Sequence, residues 1–561
     1  MLSQQKKYSR FAKDNPFIIP LLIFAVFIFL GARAHPLWTD EAETALFARN
    51  IVQFGLPTGW DGVNLISVNN GVLLNRELLN HTSPWAQFYL SAISFKLLGE
   101  SSFTARLPFV LISLGIIPLI YFLTKAITKD DEGNRIAFLT ALAASFSVPM
   151  ILYLYNARYY SLTIFFGLLF FYSALFLDAK KIWPKIGFTI SGIGFIYSFY
   201  LSLPVFYLAV FFGITLHKFL RGEEKSQIIK YLCIYLGLGI IILASFLPWY
   251  LILSPESSRV SLTVETLRQF SQIPQAFKIL LALYNLSNVF PLPFFGFLGL
   301  SFYLSKKFSH SNNIDALLLS SVACFYILIL AILTSFSKVI DTNPTELRYN
   351  LVLFPLLIML SVMLISKVFK FNKYLFWLAF IIYTLTNLWT LQKPIFFVLE
   401  YIQEVFARYP TPDKIVADYL KKNAKDGDTV FVNYDRNHDP LMFELGNKIK
   451  LVNRITPERA AYFSGKDGQM ILPTYIYAFA FEPDWIIFYG KRGKDGSWFT
   501  FDYRGRFPRG ISPAVDLKNH YRETIIPTLF VDLTRPEMYL HRFDETRDMD
   551  LVNQVFIYQK I

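Results

Sequence analysis

The chain has 561 residues, 54% of them hydrophobic and only 17% charged, with 57 Phe and 32 Tyr, whereas an ordinary soluble domain is about 25% charged. That balance excludes a typical soluble enzyme and points to a membrane protein. The net charge of +13 would suit a nucleic acid partner, but many Lys and Arg lie in short connections between hydrophobic runs, where they set membrane topology. No nucleic acid partner is expected.

In chain order, apolar runs long enough to span fall at 17–33, 107–124, 136–155, 159–177, 186–200, 201–217, 230–253, 289–305, 315–336, 349–367 and 374–391, a polytopic α-helical membrane protein of about eleven transmembrane helices. Ser83–Gly99 is short for a span, contains Lys96 and repeats Gln87, Ser91 and Ser94 on one helical face, so it reads as an interfacial helix. Only then do the basic amino terminus and the basic connections "TKAITKDDEGNR", "DAKKIWPK", "HKFLRGEEK", "LSKKFSH" and "SKVFKFNK" share one side, as cytoplasmic loops do. The expected protein is a multi-pass one of the plasma (inner) membrane with a cytoplasmic amino terminus. Residues 33–106 form one long outer loop, and residues 254–288 and the surroundings of Arg348 also face outward. "ARA" at Ala32–Ala34 resembles a signal-peptidase site, but the apolar core before it is long for a signal peptide. An uncleaved anchor is expected. Cys233 and Cys324 lie in apolar runs and read as small hydrophobes, not as a disulfide or a zinc site.

Towards the carboxyl end the text becomes charged and turn-rich. We place a transmembrane domain at 1–400 and an extracytoplasmic α/β domain at 401–561. "DKIVADYLKKNAKDGDTVFVNYD" reads as a helix, a Gly-containing turn and a strand, with further strands at "KIKLVN", "DWIIFYG" and "TLFVDL". Asp435, His438 and Asp439 resemble a metal cluster on paper, but in so polar a stretch they read as solvated.

With this topology Asp40, Glu41, His81, Arg158 and Arg348 all emerge at the outer membrane boundary, where charged groups are costly without partners and often mark a site. Each has a plainer alternative: Asp40 can cap the helix "EAETALFARNIVQ", His81 can open the interfacial helix, and either Arg can snorkel. "GLPTGWDGVNLISVNNG" offers aromatic and amide groups that suit carbohydrate, and equally an ordinary turn-rich loop.

Taken in order, "TDEAETALFARNIVQFG", "HTSPWAQFYLSAISFKLLGESSFTARLP", "YNARYYSLTIFFGLL" and "ELRYNLVLFPLLIML" resemble the successive signatures of the GT-C superfamily of polytopic glycosyltransferases. The similarity is to the protein mannosyltransferase and aminoarabinose transferase branch, over roughly residues 15–390. The resemblance implies transfer of a sugar from a polyprenyl-phosphate donor to a lipid, glycan or protein acceptor at the outer face. It implies Asp40 as the carboxylate that accepts or orients the nucleophile's proton, with Glu41 as second member of the pair. Neighbouring helical side chains point about 100° apart, so Glu41 is expected to hydrogen-bond locally. Arg158 and Arg348, with Tyr159, Tyr349 and His81, are the expected partners of the donor phosphate. Two adjacent carboxylates can also bind a divalent metal. Some relatives carry a further acidic residue near the third span, where this chain has "NARYY", which favours a metal-independent reaction. "HTSP" also lacks the family's paired prolines. The alternative function is a multi-span lipid or glycolipid flippase, for which charges near the bilayer midplane would be expected.

Overall fold

A computed structural model describes residues 15–66, 73–128, 132–253, 314–333, 350–369, 372–386, 397–406, 411–432, 438–452, 482–489, 491–492, 498–499, 517–527 and 554–561. Their elements, in chain order, are α1 (Ile18–Ala34), α2 (Thr39–Phe54), α3 (Ala86–Leu98), α4 (Ser102–Leu114), α5 (Ile116–Thr128), α6 (Gly133–Ser145), α7 (Val148–Leu154), α8 (Tyr160–Ala174), α9 (Trp183–Phe199), α10 (Ser202–Leu220), α11 (Lys225–Leu253), α12 (Ile314–Leu333), α13 (Leu353–Val368), α14 (Lys373–Leu385), α15 (Val398–Phe406), α16 (Pro412–Asn423), β1 (Thr429–Val432), α17 (His438–Leu445), β2 (Lys450–Val452), β3 (Trp485–Tyr489), β4 (Lys491–Arg492), β5 (Trp498–Phe499), α18 (Leu517–His520), β6 (Tyr521–Pro527) and β7 (Gln554–Lys560). They divide into two compact units. One holds residues 1–32 and 109–405, the other residues 33–108 and 406–561. Residues 33–108 thus group with the carboxyl-terminal residues.

The first unit is a bundle of apolar helices. Among the described residues three helices are long and apolar enough to cross a membrane, Ser102–Thr128, Ser202–Leu220 and Lys225–Leu251, or five if each of two broken pairs counts as one span. The runs at 159–177, 315–336, 349–367 and 374–391 form shorter apolar helices; the run at 289–305 lies outside the described residues. The run at 136–155 is not one straight span but α6 and α7, bent by 61°. Phe146 and Ser147 leave the helix, and Pro149 follows in the first turn of α7, where its missing N–H and its ring prevent the α6 ladder from continuing. A small cleft at this break is lined by Phe146, Ser147 and Pro149 together with Ile358, Tyr383 and Thr384.

Outward faces of the bundle are greasy. Ile19, Leu22, Val26 and Leu30 form one exposed stripe on α1, and Ile229, Leu236, Ile240, Leu243, Leu247 and Leu251 are exposed on α11, as lipid-facing helices require. Inside, small residues let backbones approach: a Cβ on Gly213 of α10 would lie 2.5 Å from Val322 Cγ2 of α12. Helices α10 and α11 are stapled reciprocally, Tyr207 Oη donating to Tyr235 O (2.9 Å) and Tyr235 Oη to Tyr207 O (2.8 Å).

The second unit contains a five-stranded sheet of order β2-β1-β3-β7-β6. β1 pairs in parallel with β2 and β3, while β7 runs antiparallel to both β3 and β6. All five residues of β3, "WIIFY", are buried, the continuous apolar pattern of a central strand. Asp484 sets its register, accepting from both the backbone N and Oγ1 of Thr429 at 2.8 and 2.6 Å. The expected α16–β1 unit is present: Thr411 caps α16 through a bond from Lys414 N, Pro412 occupies the first turn, and Gly427 takes φ +87° before β1. "TLFVDL" lies outside the described residues; the strands β6 and β7 escaped the sequence reading. His438 and Asp439 are buried rather than solvated, because they form the first turn of α17, which packs on α2; Asp435 lies outside the described residues.

Candidate active site

The apolar α1 ends at Ala34, residues 35–38 are non-helical, and α2 begins at Thr39. Asp40 and Glu41 therefore stand in the first turn of a helix, where negative charge is favoured by the exposed N–H groups and the helix dipole. At the other end Gly55 adopts φ +81° and its N–H returns to Ile51 O at 2.8 Å, a left-handed stop that suits glycine.

The two carboxylates have different surroundings. Asp40 is half-buried, and its backbone carbonyl accepts from Thr44 Oγ1 at 3.1 Å. Glu41 is fully buried against Arg106 of α4, also fully buried. The guanidinium meets the carboxylate with its planar fork, Nε to Oε1 at 2.7 Å and Nη2 to Oε2 at 2.5 Å. Its other N–H groups reach His35 O at 2.7 Å and Pro36 O at 3.0 Å. Glu41 Oε2 also accepts from Trp38 N at 3.4 Å. A buried charge pair persists only when its remaining hydrogen-bonding capacity is satisfied. Here the leftover donors hold the backbone of residues 35–36, the approach to the Asp40 turn.

His81 lies in the same unit and is buried; its backbone N–H donates to Leu73 O at 3.0 Å. The start of α3 is organised by Asn80, which accepts from Ser83 N through Oδ1 (3.1 Å) and from Trp85 Nε1 through its carbonyl (2.8 Å). α3 turns Gln87, Ser91 and Ser94 inward, Ser91 Oγ bonding Ala105 O at 3.1 Å, and leaves Ile93, Leu97 and Leu98 exposed. The reverse would be expected of a helix facing water.

In the loop after α2, Asp61 is buried, and its Oδ1 accepts from Val63 N and Asn64 N at 2.8 and 2.6 Å. Burial pushes its carboxyl above the ordinary value of 3.8, against the lowering effect of those bonds and of Arg49. A raised folded value means that the unfolded chain ionises first, so this group favours folding least once pH has risen through its folded value. Asp61→Asn should thus flatten the loss of stability that begins as pH climbs past about 3.8. Unfolding midpoints of both proteins between acid and neutral pH measure this, and parallel curves would refute it.

Arg158 and Tyr159 belong to the helical unit. They sit between α7 and α8 in a tight turn in which Arg158 N donates to Asn156 O at 2.7 Å. Both are buried. The Arg158 guanidinium carbon lies 5.6 Å from the Tyr159 ring centre, and that ring stacks on Phe199 at 4.6 Å and 7°. Tyr153 and Tyr160 meet edge to face at 5.2 Å. Arg348 and Tyr349 lie outside the described residues. Asp40, Glu41 and His81 are thus gathered in one unit, Arg158 and Tyr159 in the other.

No family profile and no curated protein sequence matches the chain. Among solved structures, ArnT from Cupriavidus metallidurans bound to undecaprenyl phosphate aligns at 12% identity over 97% of this chain and 97% of its own, with a TM-score of 0.49. The apo form of that protein aligns at 12% identity over 85% and 93%, with a TM-score of 0.44. The Archaeoglobus fulgidus oligosaccharyltransferase in complex with Zn and sulfate aligns at 11% identity over 96% and 88%, with a TM-score of 0.49.

Sequence reasoning missed Arg106, although it stands inside the quoted "SFTARLP". The available signal was a lone cation opening an otherwise apolar run, which needs a partner.

Proposed function

We propose that this multi-pass membrane protein is a glycosyltransferase of GT-C type that moves a sugar from a polyprenyl-phosphate donor to a lipid, glycan or protein acceptor. The ordered motifs support the reading, and one observation carries it: of two adjacent carboxylates next to an apolar helix, Glu41 is fully buried and locked to Arg106 while Asp40 is only partly buried. This division of labour suits a reaction that needs one carboxylate. An acceptor O–H or N–H attacks the anomeric carbon, the bond from that carbon to the phosphate oxygen breaks, and polyprenyl phosphate leaves with the electron pair. Asp40 takes the acceptor's proton.

Glu41 and Arg106 act as positioning residues for the Asp40 turn. Arg158 and Arg348, with Tyr159, Tyr349 and His81, are assigned to the donor phosphate, whose negative charge grows as it leaves. Because Arg106 engages the Glu41 carboxylate, the reading does not call for a divalent metal held by the pair. The membrane is the plasma (inner) membrane, with the amino terminus cytoplasmic and the carboxyl-terminal domain outside, as the distribution of basic loops supports.

Purified protein incubated with undecaprenyl-phosphate-linked mannose or aminoarabinose and a mixed lipid and peptide acceptor pool should release undecaprenyl phosphate, read by mass spectrometry. Movement of the intact donor across vesicles without release would favour the flippase reading instead.

A further inference from the structure

The helix that carries Asp40 is held at its far end by the carboxyl-terminal domain. Arg49, in the last turns of α2, forms an ion pair with Glu100, Nε bonding both carboxylate oxygens at 2.9 and 3.0 Å. The same guanidinium donates from Nη1 to Met442 O at 3.2 Å and from Nη2 to Phe443 O at 2.9 Å. These carbonyls belong to the last four residues of α17, where a helix runs out of its own N–H donors and carries partial negative charge. Arg49 thus caps α17 from 393 positions away in the chain. The Phe443 ring lies 5.2 Å from the guanidinium carbon and stacks on Phe95 of α3 at 6.4 Å.

A second grip lies beside it. β2 is an edge strand, and its outer edge is occupied by a side chain: Asn64 Nδ2 donates to Ile449 O at 2.9 Å, and Leu451 N donates to Asn64 Oδ1 at 2.8 Å. One carboxamide takes the place that the backbone of another strand would fill, closing an edge that would otherwise invite pairing. Asn64 is fully buried and is preset by the Asp61 turn, whose carbonyl accepts from Asn447 Nδ2 at 3.4 Å. Asn50 of α2 ties the same loop, Nδ2 to Thr58 O at 2.6 Å.

We infer that the carboxyl-terminal α/β domain is a brace for the Asp40 helix, with Arg49 and Asn64 as positioning residues for transfer. This rests on the assignment of Asp40 above. The brace fixes the far end of α2 while Arg106 fixes the near end, so α2 enters turnover with its rotation and tilt already set. Such preorganisation matters because a misplacement of about 1 Å can cost roughly a hundredfold in rate.

The test uses the full chain in lipid nanodiscs with Arg49→Met, Asn64→Leu and the conservative Arg49→Lys. Amide exchange in the peptide covering 39–54 should rise in the first two variants, including the turn that bears Asp40. Turnover of the same undecaprenyl-phosphate-linked sugars should fall about ten- to a hundredfold with donor KM within about twofold. Arg49→Lys, which keeps the Glu100 pair but loses the fork, should recover part of kcat. Unchanged exchange in α2, or unchanged kcat with raised exchange, would overturn the brace. If the wild type releases no undecaprenyl phosphate, the transferase reading fails, and the exchange result still decides whether the brace exists.

Discussion

Asp40→Asn should leave the protein folded and lower transfer by about 10²–10⁴-fold, the usual contribution of a positioned acid or base. Asn matches Asp in shape and keeps an oxygen able to accept at a helix start, so the first turn of α2 can form as before. The substitution also leaves the Glu41–Arg106 pair untouched. What it removes is a basic oxygen on a half-buried side chain. Release of polyprenyl phosphate, measured beside a thermal unfolding curve for each protein, separates loss of chemistry from loss of fold. Wild-type turnover by Asp40→Asn would take the role from this residue.

Glu41→Gln and Arg106→Met should each destabilise the protein by about 3–5 kcal/mol, because each leaves an uncompensated charge or its unpaired hydrogen-bonding groups in a site with no exposure to solvent. The two substitutions together should cost less than their sum, since the double variant buries no charge. From sequence, Glu41 reads as the second member of the acidic pair, expected to hydrogen-bond locally. Burial beside Arg106 gives it a larger part: the Gln variant should lose folded protein and, because the Asp40 turn loses its tie to Arg106, also lower kcat in the folded fraction, with donor KM unchanged. Denaturant unfolding of the two single variants and the double variant tests this. Additive or negligible effects would show that the pair is not coupled.

Several features were readable from local sequence because their causes are local. The apolar run of α1, the helix, Gly-containing turn and strand of α16 and β1, and the wholly apolar β3 follow from propensity, turn chemistry and hydropathy within a few residues. Pro149 is an intermediate case: its effect is local, but an unbroken apolar run concealed it, since hydropathy does not report backbone direction. Tertiary structure alone decided the partners. Glu41 and Arg106 stand 65 residues apart, Asn64 and Ile449 385 apart, and no short-range pattern couples such positions. Their worth arises only on folding, when burial removes water and makes each polar group depend on whichever complementary group the fold has brought within reach.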